Sequence, residues 1–190
     1  QRGVDHQLFS VDRENFTLEP GAGAAFRDRF DVVLERCVSH SRALAALRLL
    51  DTWNIPWLNN IAVAEICGDK LATNAMLMAA GVRVPRARLA FTPETALEAI
   101  EEIGYPAVLK PAVGSWGRLI ARVNDRDAAE AVLEHKSTLG SYHHSIFFVQ
   151  EHIDKPGRDL RSFVVGDRTI CAIARDSKHW ITNTARGATT

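Results

Sequence analysis

Strand-length apolar runs alternate with helix-length segments along almost the whole of this 190-residue chain, and this alternation limits its fold more than any other feature. Residues 30–35 form an apolar run, a helical pattern opens near Ser39 or Ser41, and a second apolar run follows at residues 55–58. Strands that alternate with helices at this spacing are typical of β-α-β units in a parallel sheet. We therefore predict a doubly wound α/β fold for the first part of the chain, with a further short strand over residues 6–11.

A different order of elements begins at Asp69. Asp69 is a good N-cap for a helix that runs to Ala80, with Gly81 as its stop. A second helix is predicted to begin at Thr92-Pro93-Glu94 and to end at Gly104. The remaining patterns predict strands at residues 88–91, 105–111, 118–123, 146–153, 160–165 and 168–175, and a helix at residues 124–135. Strands joined in part by short turns indicate an α+β second unit.

Charge and composition exclude several classes of protein. Lys and Arg together number 23, and so do Asp and Glu, so the chain has no net charge to attract nucleic acid or an anionic membrane. No apolar run approaches the roughly 20 residues needed to span a bilayer, and no signal peptide opens the chain. Cys37, Cys67 and Cys171 are far apart, which favours reduced thiols over disulfides or structural zinc. We therefore expect a cytoplasmic protein with no nucleic-acid partner and no membrane partner.

The segment most informative about function is residues 108–117, in which Lys110 closes an apolar strand beside a loop with two glycines. Backbone N–H groups of such a loop can approach phosphate oxygens without obstruction by Cβ atoms, and the ammonium can neutralise charge. The segment is not a Walker A motif, because no Gly-Lys-Ser/Thr opens a helix, and it is not a Rossmann fingerprint, because the loop leads into a strand. Alone, it is equally compatible with phosphate binding and with an ordinary hairpin whose lysine lies in solvent.

Two other segments could contact a nucleotide. Lys70 lies in the first turn of a predicted helix, where the helix dipole disfavours a cation unless an anion is bound there. Residues 147–153 have the pattern of a buried strand that turns polar, which suits the binding of adenine and ribose. The plainer alternatives are a solvated lysine paired with Asp69 and a strand end that reaches solvent. His143-His144 does not predict a metal site, because adjacent side chains on an extended segment point in opposite directions.

Cationic side chains also occur near the end of the chain. Arg161 and Arg175 lie on otherwise apolar strands, where an arginine is usually paired, at a strand end or bound to an anion. A two-residue turn at Gly166-Asp167 would place these two arginines on opposite faces of the hairpin. Asn183 and Arg186 lie in a polar loop that suits phosphate or carboxylate binding, although an ordinary surface loop is the alternative.

In combination, these segments resemble the ATP-grasp superfamily, and their order and spacing match its RimK-like branch. The residues that carry this resemblance are Lys70 and residues 108–111, 114–118, 149–151 and 157–161. Within that branch the chain is most similar to the LysX ligases, which attach α-aminoadipate to the amino-group carrier protein LysW. The closer likeness is carried by residues 35–39, 67–70, 114–118 and 179–187.

The resemblance implies a Rossmann-like preATP-grasp domain at residues 1–66 and an ATP-grasp domain at residues 67–190. It implies that Arg175 and Asn183 serve catalysis and that Asn183 and Arg186 bind the substrate acid. A loop over residues 114–120 would close over the phosphates. The ATP-binding residues implied in this way are Lys70, Lys110, Gly114, Ser115, Trp116, Gly117, Arg118, Leu119, Ile120, Gln150, Glu151, His152, Ile153, Asp159 and Arg161.

The implied activity is an amide-forming ligation driven by ATP and Mg²⁺, with the carrier's C-terminal glutamate as acceptor and α-aminoadipate as the amine, in a cytoplasmic homo-oligomer. The family's metal ligands follow the Arg-Gly loop, and nothing follows Thr190 here. Because the chain also begins at Gln1 instead of Met, we expect a fragment that lacks its Mg²⁺ ligands and is itself inactive. The alternatives are a glutamate ligase of carrier-linked arginine biosynthesis or of a ribosomal protein, and a non-catalytic nucleotide-binding remnant.

Overall fold

The computed structural model describes residues 3–114, 117–139 and 146–190, and the chain divides into two units, Gln1–Gly68 and Asp69–Thr190. Ser115 and Trp116 of the predicted ATP site and the His143-His144 pair lie outside the described residues. Helices and strands are mixed in both units, which confirms the predicted fold class. Among the helices in the described ranges, none is long and apolar enough to cross a membrane.

The first unit contains a β-α-β arrangement. Its elements are α1 (Ala24–Arg27), β1 (Val33–Leu34), α2 (His40–Thr52), β2 (Trp57–Leu58) and α3 (Ile61–Gly68). β1 and β2 pair in parallel with α2 between them in the chain, as predicted, although both strands are shorter than the apolar runs suggested. α2 begins after Ser39 and buries Ala43, Leu47 and Leu50, which confirms the helix expected at this position.

The prediction of a strand over residues 6–11 was wrong. The described chain forms no strand there, and a 3₁₀ turn begins at Val11 and ends at Arg13. The ring of Phe9 lies 5.6 Å from that of Phe26 and 5.9 Å from that of Phe30, measured between centroids. The apolar side chains of this segment therefore pack as an aromatic cluster instead of adding a strand to the sheet.

The second unit combines a four-stranded sheet with a separate hairpin. Its elements are α4 (Lys70–Ala79), β3 (Ala87–Ala90), α5 (Pro93–Ile103), β4 (Ala107–Pro111), β5 (Ala121–Val123), α6 (Arg126–Leu139), β6 (Phe147–Glu151), β7 (Arg158–Val165) and β8 (Arg168–Asp176). The sheet order is β3-β6-β4-β5 with antiparallel neighbours, and β7 pairs with β8.

One face of the four-stranded sheet packs against α5 and α6. The buried residues of this core include Leu109, Phe147 and Val149 from the strands and Ile100 and Leu133 from the helices. Because side chains alternate along a strand, Lys110 and Gln150 project from the opposite face. Lys110 pairs with Phe148, two residues from Gln150, so the two polar side chains are close neighbours on that face.

Local capping signals fixed the ends of the helices as predicted. The Asp69 carboxylate accepts hydrogen bonds from the second and third residues of α4, and Gly81 follows the helix with φ of 70°. Thr92 caps α5 through its hydroxyl, and Gly104 ends that helix with φ of 91°. Of these two helices, α4 positions the site, because it begins directly beside the end of β4.

Two strand predictions in this unit need correction. The strand expected over residues 118–123 begins only at Ala121, because the chain turns at residues 117–119 and Leu119 has a left-handed φ of 56°. Arg161 and Arg175 were expected on opposite faces of the hairpin, but they share one face.

A β-bulge explains this shared face. The turn at Gly166-Asp167 is present as predicted, and Val164 pairs with Thr169, but Phe163 then pairs with Cys171. Ile170 is therefore an extra residue in β8, and it shifts the register by one residue. As a result Asp159 pairs directly with Arg175, whereas a plain ladder would have paired it with Ala174.

Candidate functional site

The first cation of the candidate site is held by a junction between α4 and the end of β4. The backbone N–H of Lys70 donates to the carbonyl of Ala112 at 3.0 Å, and Asp69 forms an antiparallel bridge with Val113. The Lys70 Nζ donates to the carbonyl of Gly114 at 3.0 Å, so this ammonium lies against the start of the glycine loop. Burial lowers the pKa of Lys70, although the Asp69 carboxylate acts in the opposite direction.

The second cation, Lys110, lies half-buried near the end of β4. Its Nζ donates to Oε1 of Gln150 at 2.7 Å, a neutral partner. Burial lowers the pKa of Lys110 to about 8, and the positive charges of Lys70 and Lys155 add to the effect. Lys110 is therefore close enough to both Lys70 and Lys155 for like charges to repel, and a bound anion would relieve this repulsion. These three residues are called the lysine cluster below.

The third cation, Lys155, lies between β6 and β7. Its Nζ donates to Oγ1 of Thr182 at 2.6 Å and lies 3.8 Å from a carboxylate oxygen of Asp159. Asp159 accepts two hydrogen bonds from the Arg175 guanidinium, at 2.7 and 2.8 Å, and one from Thr182 at 2.5 Å. These partners hold the pKa of Asp159 below its usual range, with the Arg175 hydrogen bond as the largest cause.

The glycine loop is attached to the polar loop that follows β8. The Arg186 guanidinium donates to the carbonyl of Gly117 at 2.9 Å. A Cβ on Gly117 would lie 3.0 Å from Ile181 Cγ2 and 3.2 Å from Asn183 Oδ1, and the φ of Gly117 is 67°. Only glycine fits this close approach without strain. Asn183 and Arg186, both predicted site residues, are thus placed against the loop predicted to cover the phosphates.

The segment predicted to hold adenine begins on β6 and leaves the sheet after Glu151. The Glu151 carboxylate accepts hydrogen bonds from the backbone N–H and the Nε of Arg86, at 2.8 and 2.9 Å, so its side chain is already bound. The ring of His152 lies 6.0 Å from that of Trp180, and Ile153 is about half exposed. A nucleotide contact by the Glu151 carboxylate would have to replace these hydrogen bonds, whereas a contact by the Glu151 backbone would not.

The other predicted residues belong to the same unit. Arg118 and Leu119 are exposed in the turn after Gly117, and Ile120 leads into β5. Arg161 is exposed, with its guanidinium 5.5 Å from the centroid of Phe163. The roles of these positions in ATP binding stay predictions.

Reasoning from the sequence missed Lys155 and Thr182. Lys155 belongs to the Lys155-Pro156-Gly157 turn, whose composition indicates a tight turn and nothing more. Thr182 is one of the few polar side chains that the structure buries, and it lies 27 residues from Lys155. The burial of Thr182 would have indicated a role, but burial depends on tertiary structure and is not visible in the sequence.

A bound Mg²⁺ requires several oxygen ligands from carboxylates, substrate or water. Within residues 3–114, 117–139 and 146–190, no group of three or more His, Cys, Asp or Glu side chains could hold a metal ion. The carboxylate nearest the lysines, Asp159, is already committed to Arg175 and Thr182. The described residues therefore do not fit a Mg²⁺ site.

Comparison with protein-family models gives two matches along the chain. The RimK-like ATP-grasp domain matches residues 67–190, and the LysX preATP-grasp domain matches residues 1–66. This chain belongs to the RimK-like ATP-grasp family. All of the hydrogen bonds that build the lysine cluster lie within the part matched by the ATP-grasp domain.

Similar proteins include carrier-protein ligases. The α-aminoadipate–LysW ligase LysX of Sulfolobus acidocaldarius is 38% identical over 83% of this chain and 58% of its own length. The glutamate–LysW ligase ArgX of Sulfurisphaera tokodaii is 32% identical over 98% of this chain and 65% of its own length. The chain thus spans less than two thirds of these relatives. A RimK domain ATP-grasp protein from Sphaerobacter thermophilus has a crystal structure with 33% identity and a TM-score of 0.62, covering 69% of this chain and 50% of that one.

Proposed function

We propose that this chain provides the ATP-binding part of a ligase that joins the amino group of α-aminoadipate to a carboxylate of a LysW-like carrier protein. The observation that most supports this function is the placement of Lys70 and Lys110 beside the start of the glycine loop, within an ATP-grasp domain. A triphosphate carries several negative charges in a short chain, and charge-assisted hydrogen bonds to ammonium groups are the strongest contacts available to it.

The proposed reaction has two steps. In the first, a carboxylate oxygen of the carrier's C-terminal glutamate forms a bond to the γ-phosphorus of ATP, and the bond to the β,γ-bridging oxygen breaks, so that ADP leaves. In the second, the amino nitrogen of α-aminoadipate bonds to the carbonyl carbon of the acyl phosphate. The carbon–oxygen bond to phosphate breaks, the nitrogen loses a proton, and an amide and inorganic phosphate result.

The described residues would contribute positioning and charge. Lys70 and Lys110 would hold the phosphates and neutralise the charge that builds up on the departing ADP. The loop at Gly117, attached through Arg186, would cover the phosphates and keep water from the acyl phosphate. Asn183 would lie near the reacting carboxylate, and Arg175 would act mainly through Asp159, to which it is bound.

Glutamate is the second candidate for the amino substrate. It is favoured by the similarity to ArgX, which is only slightly lower than the similarity to LysX. The two amino acids differ by one methylene group, which a pocket distinguishes by about 10-fold to 200-fold. The nucleotide-binding residues would be the same for both.

The remaining parts of the proposal follow from the family resemblance. They are a cytoplasmic homo-oligomer, a place in lysine biosynthesis, and ATP with Mg²⁺ as cofactors. No step is assigned to Mg²⁺, because the described residues do not form a site for it.

A turnover assay tests the proposal directly. Purified protein that contains this chain is incubated with ATP, Mg²⁺ and a LysW-like carrier, with either α-aminoadipate or glutamate, and ADP and the mass of the carrier are measured. We expect ADP and a mass increase of the carrier only when every component is present, with α-aminoadipate giving the higher kcat/KM.

The controls separate the candidates. A higher kcat/KM with glutamate would replace α-aminoadipate in the proposal but keep the ligase. ADP formation that does not depend on the carrier, or no binding of ATP at all, would contradict the proposed function.

A further inference from the structure

The strongest feature that the proposed function leaves unused is the charge of Lys155. Its side chain is 31% exposed, so the ammonium is accessible from one side, and its closest partner is the neutral hydroxyl of Thr182 at 2.6 Å. An ammonium has three N–H donors, so donors are left for a ligand.

The nearest carboxylate does not neutralise this ammonium by a direct hydrogen bond. Asp159 lies 3.8 Å from Lys155 Nζ, beyond hydrogen-bond distance. Its two oxygens already accept from the Arg175 guanidinium and from Thr182. One carboxylate is thus shared between two cations, and among the described residues that leaves an excess positive charge at Lys155.

The residues near Lys155 indicate where a ligand for this charge would lie. Lys155 lies close enough to Lys110 for their charges to repel, and Lys110 is also repelled by Lys70. Thr182, the hydrogen-bond partner of Lys155, directly precedes Asn183, and a Cβ on Gly117 would lie 3.2 Å from Asn183 Oδ1. Lys155 is therefore held beside the segment that contacts the glycine loop.

We propose that Lys155 is a third phosphate-binding residue, which contacts the phosphate chain of the nucleotide and is positioned for this contact by the hydroxyl of Thr182. The inference rests on the proposed ATP site. Thr182 is a positioning residue in this scheme: it accepts from Lys155 and donates to Asp159, so it holds the ammonium away from the carboxylate that would otherwise neutralise it.

The first test removes the charge and keeps the aliphatic stem. ATP, ADP and adenosine are titrated by calorimetry into the unchanged protein and the variants Lys155→Met, Lys110→Met and Lys178→Met, with thermal unfolding measured for each. Lys178 is an exposed lysine of the same unit that contacts none of the site residues described here. We expect Lys155→Met to weaken ATP and ADP binding about 10-fold or more, with adenosine unchanged and with Lys178→Met indistinguishable from the unchanged protein.

The second test concerns the positioning role. We expect Thr182→Val to weaken ATP binding less than Lys155→Met does, and Thr182→Ser to restore it. Adding Thr182→Val to Lys155→Met should cause no further loss, because the threonine acts through the lysine. Removing Lys155 should also move the loss of ATP affinity at alkaline pH to higher pH, because one charge that repels the Lys110 ammonium is gone.

The outcomes distinguish this inference from the proposed function. If Lys110→Met weakens ATP binding and Lys155→Met does not, the inference is overturned and the ATP site stands. An equal loss for adenosine and ATP in Lys155→Met would show a purely structural role and would overturn the inference as well. If the unchanged protein binds no ATP, both are overturned.

Discussion

At the scale of single residues, the fold lowers the pKa of Lys110, which its sequence context alone does not indicate. The lysine ends an ordinary apolar strand, but the sheet buries it beside a neutral glutamine and two other ammonium groups. With its pKa lowered to about 8, Lys110 loses its proton at a lower pH than an exposed lysine does.

The affinity for ATP should therefore fall as the pH rises through 8. Bound phosphate favours the charged ammonium and raises its pKa, so above 8 the protein must take up a proton in order to bind. Lys70 and Lys155 are the charged groups that face Lys110, and both are cations. Calorimetry below and above pH 8, in buffers of different ionisation enthalpy, would measure the affinity and the proton uptake. Lys110→Met should bind weakly with little change over this range, and a flat profile for the unchanged protein would contradict the assignment.

Asp159 should stabilise the fold through Arg175. Asp159→Asn removes the charge that faces a largely buried guanidinium, and we expect the free energy of unfolding to fall by about 2 kcal/mol at neutral pH. Because the pKa of Asp159 is lowered in the folded protein, its contribution is present above the pKa of the unfolded carboxyl. The contribution is lost as the pH falls through the lowered value.

Denaturant unfolding of both proteins at neutral and acid pH measures this difference. Asp167→Asn, at the exposed hairpin turn, is the matched control and should leave the free energy of unfolding nearly unchanged. A difference between Asp159→Asn and the unchanged protein that persists at strongly acid pH would mean that the effect is not due to the charge.

Lys155 and Thr182 show why part of the site could not be predicted from the sequence. Lys110 and Lys70 were visible because a strand end, a glycine loop and a helix start are local signals. The proposed role of Lys155 depends on the hydroxyl of Thr182, 27 residues away, and on the Asp159 carboxylate, which already accepts from Arg175 and Thr182. Contacts of this kind arise from packing, and no pattern in the chain specifies them.

At the scale of elements, the glycine loop is held by one close approach. Gly117→Ala would combine the cost of a left-handed backbone with contacts of 3.0 Å to Ile181 and 3.2 Å to Asn183. Gly166→Ala, in the hairpin turn, has a similar φ of 63° but open space around the added carbon. The pair therefore separates backbone strain from crowding.

We expect Gly166→Ala to cost about 1 kcal/mol of unfolding free energy and to leave ATP binding unchanged. Gly117→Ala should cost more and should also weaken ATP binding, because the loop can no longer lie against the Arg186 segment. Denaturant unfolding and calorimetry measure the two effects. Equal losses of stability, with equal affinity for ATP, would show that the attachment of the loop does not matter.

The helices of the second unit were predicted well because their ends are encoded locally. Asp69 and Thr92 cap their helices through their own side chains, and Gly81 and Gly104 supply the positive φ that ends them. The strand expected over residues 6–11 failed because a strand needs a neighbour, and the aromatic rings there found other partners.

At the scale of the whole molecule, every described contact of the candidate site lies in Asp69–Thr190. Binding of ATP should therefore slow amide hydrogen exchange in residues 108–114, 117–120, 150–159 and 181–187, with no direct protection of α2. Exchange measured by mass spectrometry with and without ATP, on the protein that contains this chain, would show this. Protection confined to residues 3–68 would place the nucleotide elsewhere.

The bulge at Ile170 has a consequence for how this hairpin can vary among homologous sequences. Deleting one residue from either strand between Asp159 and Arg175, with the turn unchanged, would move the arginine to the opposite face of the hairpin, away from its carboxylate. Inserting an even number of residues at the two-residue turn would lengthen both strands equally and leave the pairing of Asp159 with Arg175 unchanged. Length variation within the two strands is therefore constrained by parity, independently of which amino acids occupy them.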